Sequence, residues 1–158
     1  MGNFNGIDIP DWGFRENGEF YSFHENEDFP KDTIGFIYRI NLSNGKSYIG
    51  RKKIWSITKK NFGKKQLANI TDKRLKTYEM IKKQSDWLSY IGSNKNLHED
   101  VMNGVRIIDR EILMVCKTEK QMTYYENKAL FCDDVLLSKD YYNDNIMGKF
   151  FRKDLING

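Results

Sequence analysis

Two tyrosines, one glutamate and one asparagine are the residues of this chain whose types and settings could carry chemistry. Tyr38 and Tyr48 stand on either side of Ser43-Asn44-Gly45-Lys46. Asn-Gly between two runs rich in β-branched and aromatic residues signals a hairpin whose central residues both take positive φ. Such a hairpin puts the two phenols on paired strands. A phenol donates and accepts hydrogen bonds from a rigid stem, and nearby cations ease its ionisation. Strand alternation sets Tyr48, Gly50 and Lys52 on one face. Gly50 leaves room for a close approach, and Arg51, Lys52 and Lys53 could hold a phosphate, with a hairpin of core tyrosines and a solvated edge as the plainer alternative.

Glu126 has Met122, Ala129 and Leu130 as its i−4, i+3 and i+4 neighbours, so it falls within an apolar helical stripe. A carboxylate there is costly unless a cation or hydrogen-bond donors satisfy it. Mg²⁺ is often held by one carboxylate with waters and substrate phosphate. A lysine or arginine would serve equally. Asn143 follows Tyr141 and Tyr142 in a loop, where an amide can fix a phosphate or a water, or cap a turn.

These residues need a scaffold. Residues 34–42 and 47–54 predict the paired strands, and 55–66 a basic stretch with Gly63 as a breaker. Leu75, Tyr78 and Ile81 form a stripe that predicts a helix over 72–84. Ser85 is placed to cap a second short helix ended by Gly92, and a third spans 96–103. Residues 105–116 predict a third strand. Thr118-Glu-Lys-Gln is a capping box, opening a helix over 119–132. The expected fold is α+β: a small three-stranded mixed or antiparallel sheet beginning with a β-hairpin and flanked by helices.

Charge is unevenly spread over the 158 residues, which carry a net +4. Residues 1–33 hold eight acids against Arg15 and Lys31, a net −6, and read as an acidic N-terminal arm. The domain itself is expected over 34–158. Residues 39–95 hold fifteen Lys and Arg against Asp72, Glu79 and Asp86, a net +12. A basic block interleaved with aromatics suits a polyanion such as nucleic acid, and a solvated lysine face is the plainer alternative. The acidic arm could lie over the basic region as a DNA mimic, or be an ordinary solvated extension. No apolar run is long enough to span a membrane, and the N-terminus lacks a secretory pattern. Cys116 and Cys132 are expected to be buried thiols in a reducing, cytoplasmic compartment.

Phe36-Ile37-Tyr38 followed by Tyr48-Ile49-Gly50 resembles the signature of the GIY-YIG nucleases. Asp86-Trp-Leu-Ser-Tyr-Ile-Gly-Ser93, Asp109-Arg-Glu-Ile-Leu113, Tyr124-Tyr-Glu126 and Tyr141-Tyr-Asn143 resemble, in order and spacing, the later segments of phage-encoded, homing-endonuclease-like (Seg-like) members. The resemblance implies hydrolysis of DNA phosphodiesters with Mg²⁺ or Mn²⁺. It assigns the metal to Glu126, proton transfer and water orientation to Tyr38 and Tyr48 in either order, charge neutralisation to Arg51 and Lys52, and support of the site to Asn143. Lys53, Lys59, Lys60, Lys64, Lys65 and Arg74 are the expected DNA-binding residues. The chain departs from the family in lacking an arginine about eight residues past Gly50. Thr58, Lys59 and Lys60 stand there, leaving Arg51, the lysines or Arg74 on a later helix to replace it. The rival reading is a catalytically weak or inactive DNA-binding module using the same hairpin. Little sequence flanks the domain, so low specificity, a homodimer or a targeting partner protein is expected in place of long-site recognition.

Overall fold

A run of short hairpins opens the chain in the computed structural model, which describes residues 2–156. The first pairs β1 (Gly2–Phe4) with β2 (Ile7–Ile9), and the second β3 (Trp12–Glu16) with β4 (Glu19–Phe23). Their turns, Asn5-Gly6 and Asn17-Gly18, take positive φ at both residues. This is the Asn-Gly geometry that the sequence predicts for the third hairpin. The third hairpin, β5 (Gly35–Leu42) with β6 (Ser47–Lys53), does form, but only Gly45 of its turn has positive φ. There Gly45 N–H donates to Leu42 O and Leu42 N–H to Lys46 O, as in a longer loop relaxed by a glycine bulge.

The next elements are β7 (Trp55–Asn61), α1 (Lys64–Ala68) and β8 (Tyr78–Gln84). A single 3₁₀ turn, Trp87–Ser89, leads to α2 (Lys95–Met102), β9 (Ile107–Cys116) and α3 (Glu119–Cys132). Two short strands, β10 (Asn145–Ile146) and β11 (Phe150–Phe151), and α4 (Arg152–Ile156) complete the described chain. Met1 and residues 157 and 158, the last two of the expected domain, lie outside the described residues.

The chain divides into two compact units, residues 55–85 and the remainder. The larger holds a mixed five-stranded sheet in the order β4-β3-β9-β5-β6. This corrects the expected three strands: β3 joins β9 in parallel and brings β4 with it. Trp12 drives that addition, fully buried with its indole N–H donating to Trp87 O at 2.6 Å. The acidic residues 16 and 19 therefore flank the turn of the β3–β4 hairpin, on the sheet edge opposite β6.

β5 is the central strand, and both its faces are covered. Phe36 and Tyr38 meet an aromatic layer of Trp12, Phe29 and Trp87. Ile37 packs with Ile49, Met122 and Leu130 under α3. A strand covered on both faces reads as a continuous apolar run, as Phe36-Ile37-Tyr38 does. Arg110 is buried against the aromatic layer, 4.6 Å from the Trp12 ring. Its guanidinium donates to the carbonyls of Pro10, Tyr90 and Leu88, and burial pulls its pKa down to about 9. It stays charged at neutral pH and fixes the 88–90 segment on the sheet.

The smaller unit overturns the helix expected over 72–84. Residues 78–84 form β8, paired antiparallel with β7 from Trp55↔Gln84 to Asn61↔Tyr78. The Leu75, Tyr78, Ile81 stripe has helical spacing but no apolar surface to face, and Leu75 is exposed. β7 instead supplies a strand partner for β-branched and aromatic residues. Cys116 is buried as expected, but Cys132, the last residue of α3, is exposed. No helix among the described residues is long and apolar enough to cross a membrane.

Candidate active site

β6 is the edge strand of the sheet, and its outer side is closed by the loop after α3 rather than by another strand. Ser47 N–H donates to Asp140 O, and Tyr142 N–H to Ser47 O. One residue pair further on, the Asn143 side chain takes over the ladder. Its amide donates to Ile49 O at 2.7 Å and accepts from Ile49 N–H at 3.0 Å. The carboxamide thus satisfies both backbone groups where the chain leaves the edge. Its polar atoms are therefore held on β6. Arg152 fixes the loop from behind by donating to the carbonyls of Val135, Ser138, Tyr141 and Asn143.

Past that clamp lies a cleft of about 620 Å³ lined by Tyr48, Ser93, Asn94, Lys95, Glu126, Asn143 and Asp144, among others. The start of α2 forms one wall. Asn94 caps that helix by accepting from Leu97 N–H, and its amide donates to Tyr142 O. The helix cap is thereby tied to the loop that carries Asn143.

The structure brings the two tyrosines together and separates their environments. Tyr38 is 1% exposed, opposite Gly50, with its ring 6.2 Å from that of Tyr48 and 6.0 Å from that of Tyr90. A bulge in β9 lies beside it, where the register shifts between Ile37 and Tyr38. Burial pushes the Tyr38 phenol well above its ordinary range, and Tyr90, Tyr48 and Glu126 add to the rise. Tyr48 is only partly buried and opens on the cleft, with its hydroxyl 3.5 Å from Ser93 Oγ. Burial raises its pKa too, while the Ser93 hydroxyl pulls it down. Neither phenol is made easier to ionise, contrary to the expectation from nearby lysines.

Two glycines permit this pairing. A Cβ at Gly50 would lie 2.5 Å from the Tyr38 hydroxyl and 3.1 Å from Tyr48 Cε1. Gly92 has φ +87° and lies against the same two tyrosines, with its ideal Cβ 2.9 Å from Tyr48 Cε1 and 3.3 Å from the Tyr38 hydroxyl. Gly50→Ala is therefore expected to cost about 1–3 kcal/mol, typical of overpacking. Urea denaturation measures it, and a midpoint equal to wild type would show that the tyrosines can shift freely.

Glu126 projects from α3 into the cleft with its side chain 24% exposed. Burial raises its pKa, and Arg51 works against the rise. That pairing is loose, with Arg51 Nε 3.9 Å from Glu126 Oε1 while Nη1 donates to Thr123 Oγ1. A partly desolvated, weakly paired carboxylate in an open cleft fits the hard-oxygen donor set of a divalent cation. No cluster of three or more His, Cys, Asp or Glu with metal-binding geometry occurs among the described residues.

The remaining expected residues divide. Lys52 shares the Tyr48 face, but Asp86 holds its ammonium at 2.5 Å and the Tyr90 ring lies 4.0 Å below it. Lys53 pairs with Glu119. Lys59, Lys60, Lys64, Lys65 and Arg74 all belong to the 55–85 unit and are exposed. Arg74 sits in a turn, not on a helix, and forks onto Asp72.

A family model described as "Putative endonuclease segE, GIY-YIG domain" matches residues 19–146. The chain belongs to the GIY-YIG family. That match bears out the resemblance read from the tyrosine signature, including its Seg-like character. No curated protein and no solved structure matches the chain. Within this GIY-YIG domain, Lys95 and Asp144 are cleft residues that sequence reasoning did not single out, and Ser93 entered it only as the end of the Asp86–Ser93 segment. Arg110 and Arg152, which hold the surrounding loops, gave no signal, since their carbonyl partners are set by tertiary folding.

Proposed function

We propose that this GIY-YIG protein is a divalent-metal-dependent endonuclease that hydrolyses DNA phosphodiester bonds. The observation that carries the reading is the shared cleft at the β6 edge, where a solvent-reachable tyrosine and a desolvated carboxylate face the same space. Family membership supplies the reaction class, and the net +12 over residues 39–95 supports a DNA substrate.

Glu126 would hold Mg²⁺ or Mn²⁺ through its carboxylate. When bound, that cation would supply Lewis-acid polarisation of the scissile phosphate and offset charge on its oxygens. Tyr48 is the general base of this scheme, because its hydroxyl opens on the cleft. Its phenolate oxygen takes a proton from the attacking water. Tyr38 is a positioning residue, buried behind Tyr48 and stacked edge-on to Tyr90. Arg51 is the cation beside Glu126 and neutralises phosphoryl charge, and Lys95 lines the same cleft as Glu126. Lys52, tied to Asp86, holds the Tyr90 ring. Asn143 keeps Ile49, and with it Tyr48, in register. Lys53, Lys59, Lys60, Lys64, Lys65 and Arg74 contact the DNA backbone.

The test is supercoiled plasmid incubated with the protein in Mg²⁺, in Mn²⁺ and in EDTA. Nicked or linear product with either metal and none in EDTA is expected. Retarded but intact plasmid under both metals would overturn the proposal in favour of a DNA-binding module.

A further inference from the structure

We propose that the 55–85 unit is a two-stranded ribbon that enters the major groove of duplex DNA, presenting the face that carries Lys59 and Lys82. The inference rests on DNA being the substrate. No residue between 55 and 85 is buried. The unit has nine Lys and Arg against two acids, a net +7 in 31 residues, and a lone two-stranded ribbon is marginal in water. Its surface is built for a partner, and its charge demands a polyanion.

The ribbon's two faces differ. The β7–β8 register puts Trp55, Ile57 and Lys59 on one face with Tyr78, Met80 and Lys82. Lys59 lies 4.1 Å over the Tyr78 ring, and Lys82 lies 4.1 Å over Trp55. Between these two pairs Ile57 and Met80 are 60% and 56% exposed. The result is an apolar strip with a cation toward each end. Such a strip suits the thymine methyls and base edges of a groove floor, with the lysines reaching its phosphate walls. The opposite face carries Thr58, Lys60, Glu79 and Lys83 and has no aromatic ring.

Size and stacking choose among nucleic acids. The major groove of B-DNA is about 12 Å wide and admits a two-stranded ribbon, whereas the minor groove is about 6 Å wide and does not. A-form RNA has a deep, narrow major groove that excludes it. Single strands are bound by stacking bases on open aromatic faces. Here the Trp55 and Tyr78 rings are each covered by a lysine.

The experiment measures affinity for a 30-bp duplex in EDTA, where nothing is cut, using the full chain. Dimethyl sulfate then probes guanine N7 in the major groove and adenine N3 in the minor groove. Lys59→Ala/Lys82→Ala should weaken binding at least tenfold, erase N7 protection and lower the slope of log affinity against log salt by about two units. Lys59→Arg/Lys82→Arg should restore the N7 protection. Lys83→Ala removes a charge from the other face and should leave the N7 pattern in place. Loss of N7 protection in Lys83→Ala equal to that in Lys59→Ala/Lys82→Ala, N3 protection in place of N7, or equal affinity for duplex RNA or single-stranded DNA would each overturn the inference. Failure of the nuclease reading looks different: the N7 footprint persists while plasmid stays uncut in both metals.

Discussion

Glu126→Gln is expected to abolish cleavage and to leave the protein at least as heat-stable as wild type. The two halves of that result have one cause. Burial in the α3 wall raises the Glu126 pKa, and the loosely paired Arg51 offsets only part of the rise. An acid whose folded pKa lies above its unfolded value is favoured by the fold in its neutral form. Its ionisation therefore costs stability, fully above the folded pKa and not at all below the unfolded one. At pH 8 wild type bears that cost and the glutamine does not. A melting temperature equal to or above wild type at pH 8 is the expected reading, with the difference vanishing at pH 4. The amide cannot hold a divalent cation as a carboxylate does, so cleavage should fall at least about 10²-fold. Added Mg²⁺ should raise the melting temperature of wild type and not of Glu126→Gln, since binding to the native state alone stabilises it. A variant that melts lower at pH 8 and still responds to Mg²⁺ would remove Glu126 from the metal role.

The same shift fixes the acid side of the pH profile. The carboxylate form is lost as pH falls through a pKa above that of an ordinary glutamate. Activity should therefore decline at a pH where exposed glutamates are still charged.

The elements that carry the site were legible because local signals and tertiary demand agree there. The hairpin with Tyr38 and Tyr48, the strand ending at Cys116 and the helix opened by Thr118 all appear where the sequence places them. Glu126 was legible as a conflict, a carboxylate in an apolar stripe. The β3–β4 addition was harder to see, because parallel pairing of β3 with β9 joins residues about a hundred positions apart. Yet Asn5-Gly6 and Asn17-Gly18 carried the same turn signal used at Asn44-Gly45, and the acidic composition masked it. The 72–84 error has another origin. Helical spacing predicts a helix only if a core receives its stripe, and the 55–85 unit has none. Asn143 illustrates a further limit. Its residue type is right for a site, but that its amide would replace a backbone rung on β6 depends on where the chain turns away.

Tyr48→Phe should lower the cleavage rate by about 10²–10⁴-fold, the usual worth of a positioned general base. Tyr38→Phe should lower it far less. Both substitutions delete one oxygen and leave the aromatic packing intact, so the contrast isolates what each hydroxyl does. The Tyr48 hydroxyl reaches the cleft and, among the described residues, meets a long contact from Ser93, so its loss should hardly alter the melting temperature. The Tyr38 hydroxyl is buried beside Tyr90, and removing it should cost stability more than rate. The pH dependence separates the roles further. An ordinary tyrosine ionises near pH 10, and burial raises Tyr48 above that. The phenolate is then a small fraction at neutral pH and grows about tenfold per pH unit. The log of kcat/KM for wild type should therefore climb with a slope near one from pH 7 to 9, and the climb should disappear in Tyr48→Phe. Ser93→Ala should steepen the requirement for high pH, since the serine hydroxyl is what draws the Tyr48 pKa down. A flat wild-type profile, or a larger rate loss in Tyr38→Phe than in Tyr48→Phe, would move the base to the buried ring and make the cleft tyrosine the orienting one.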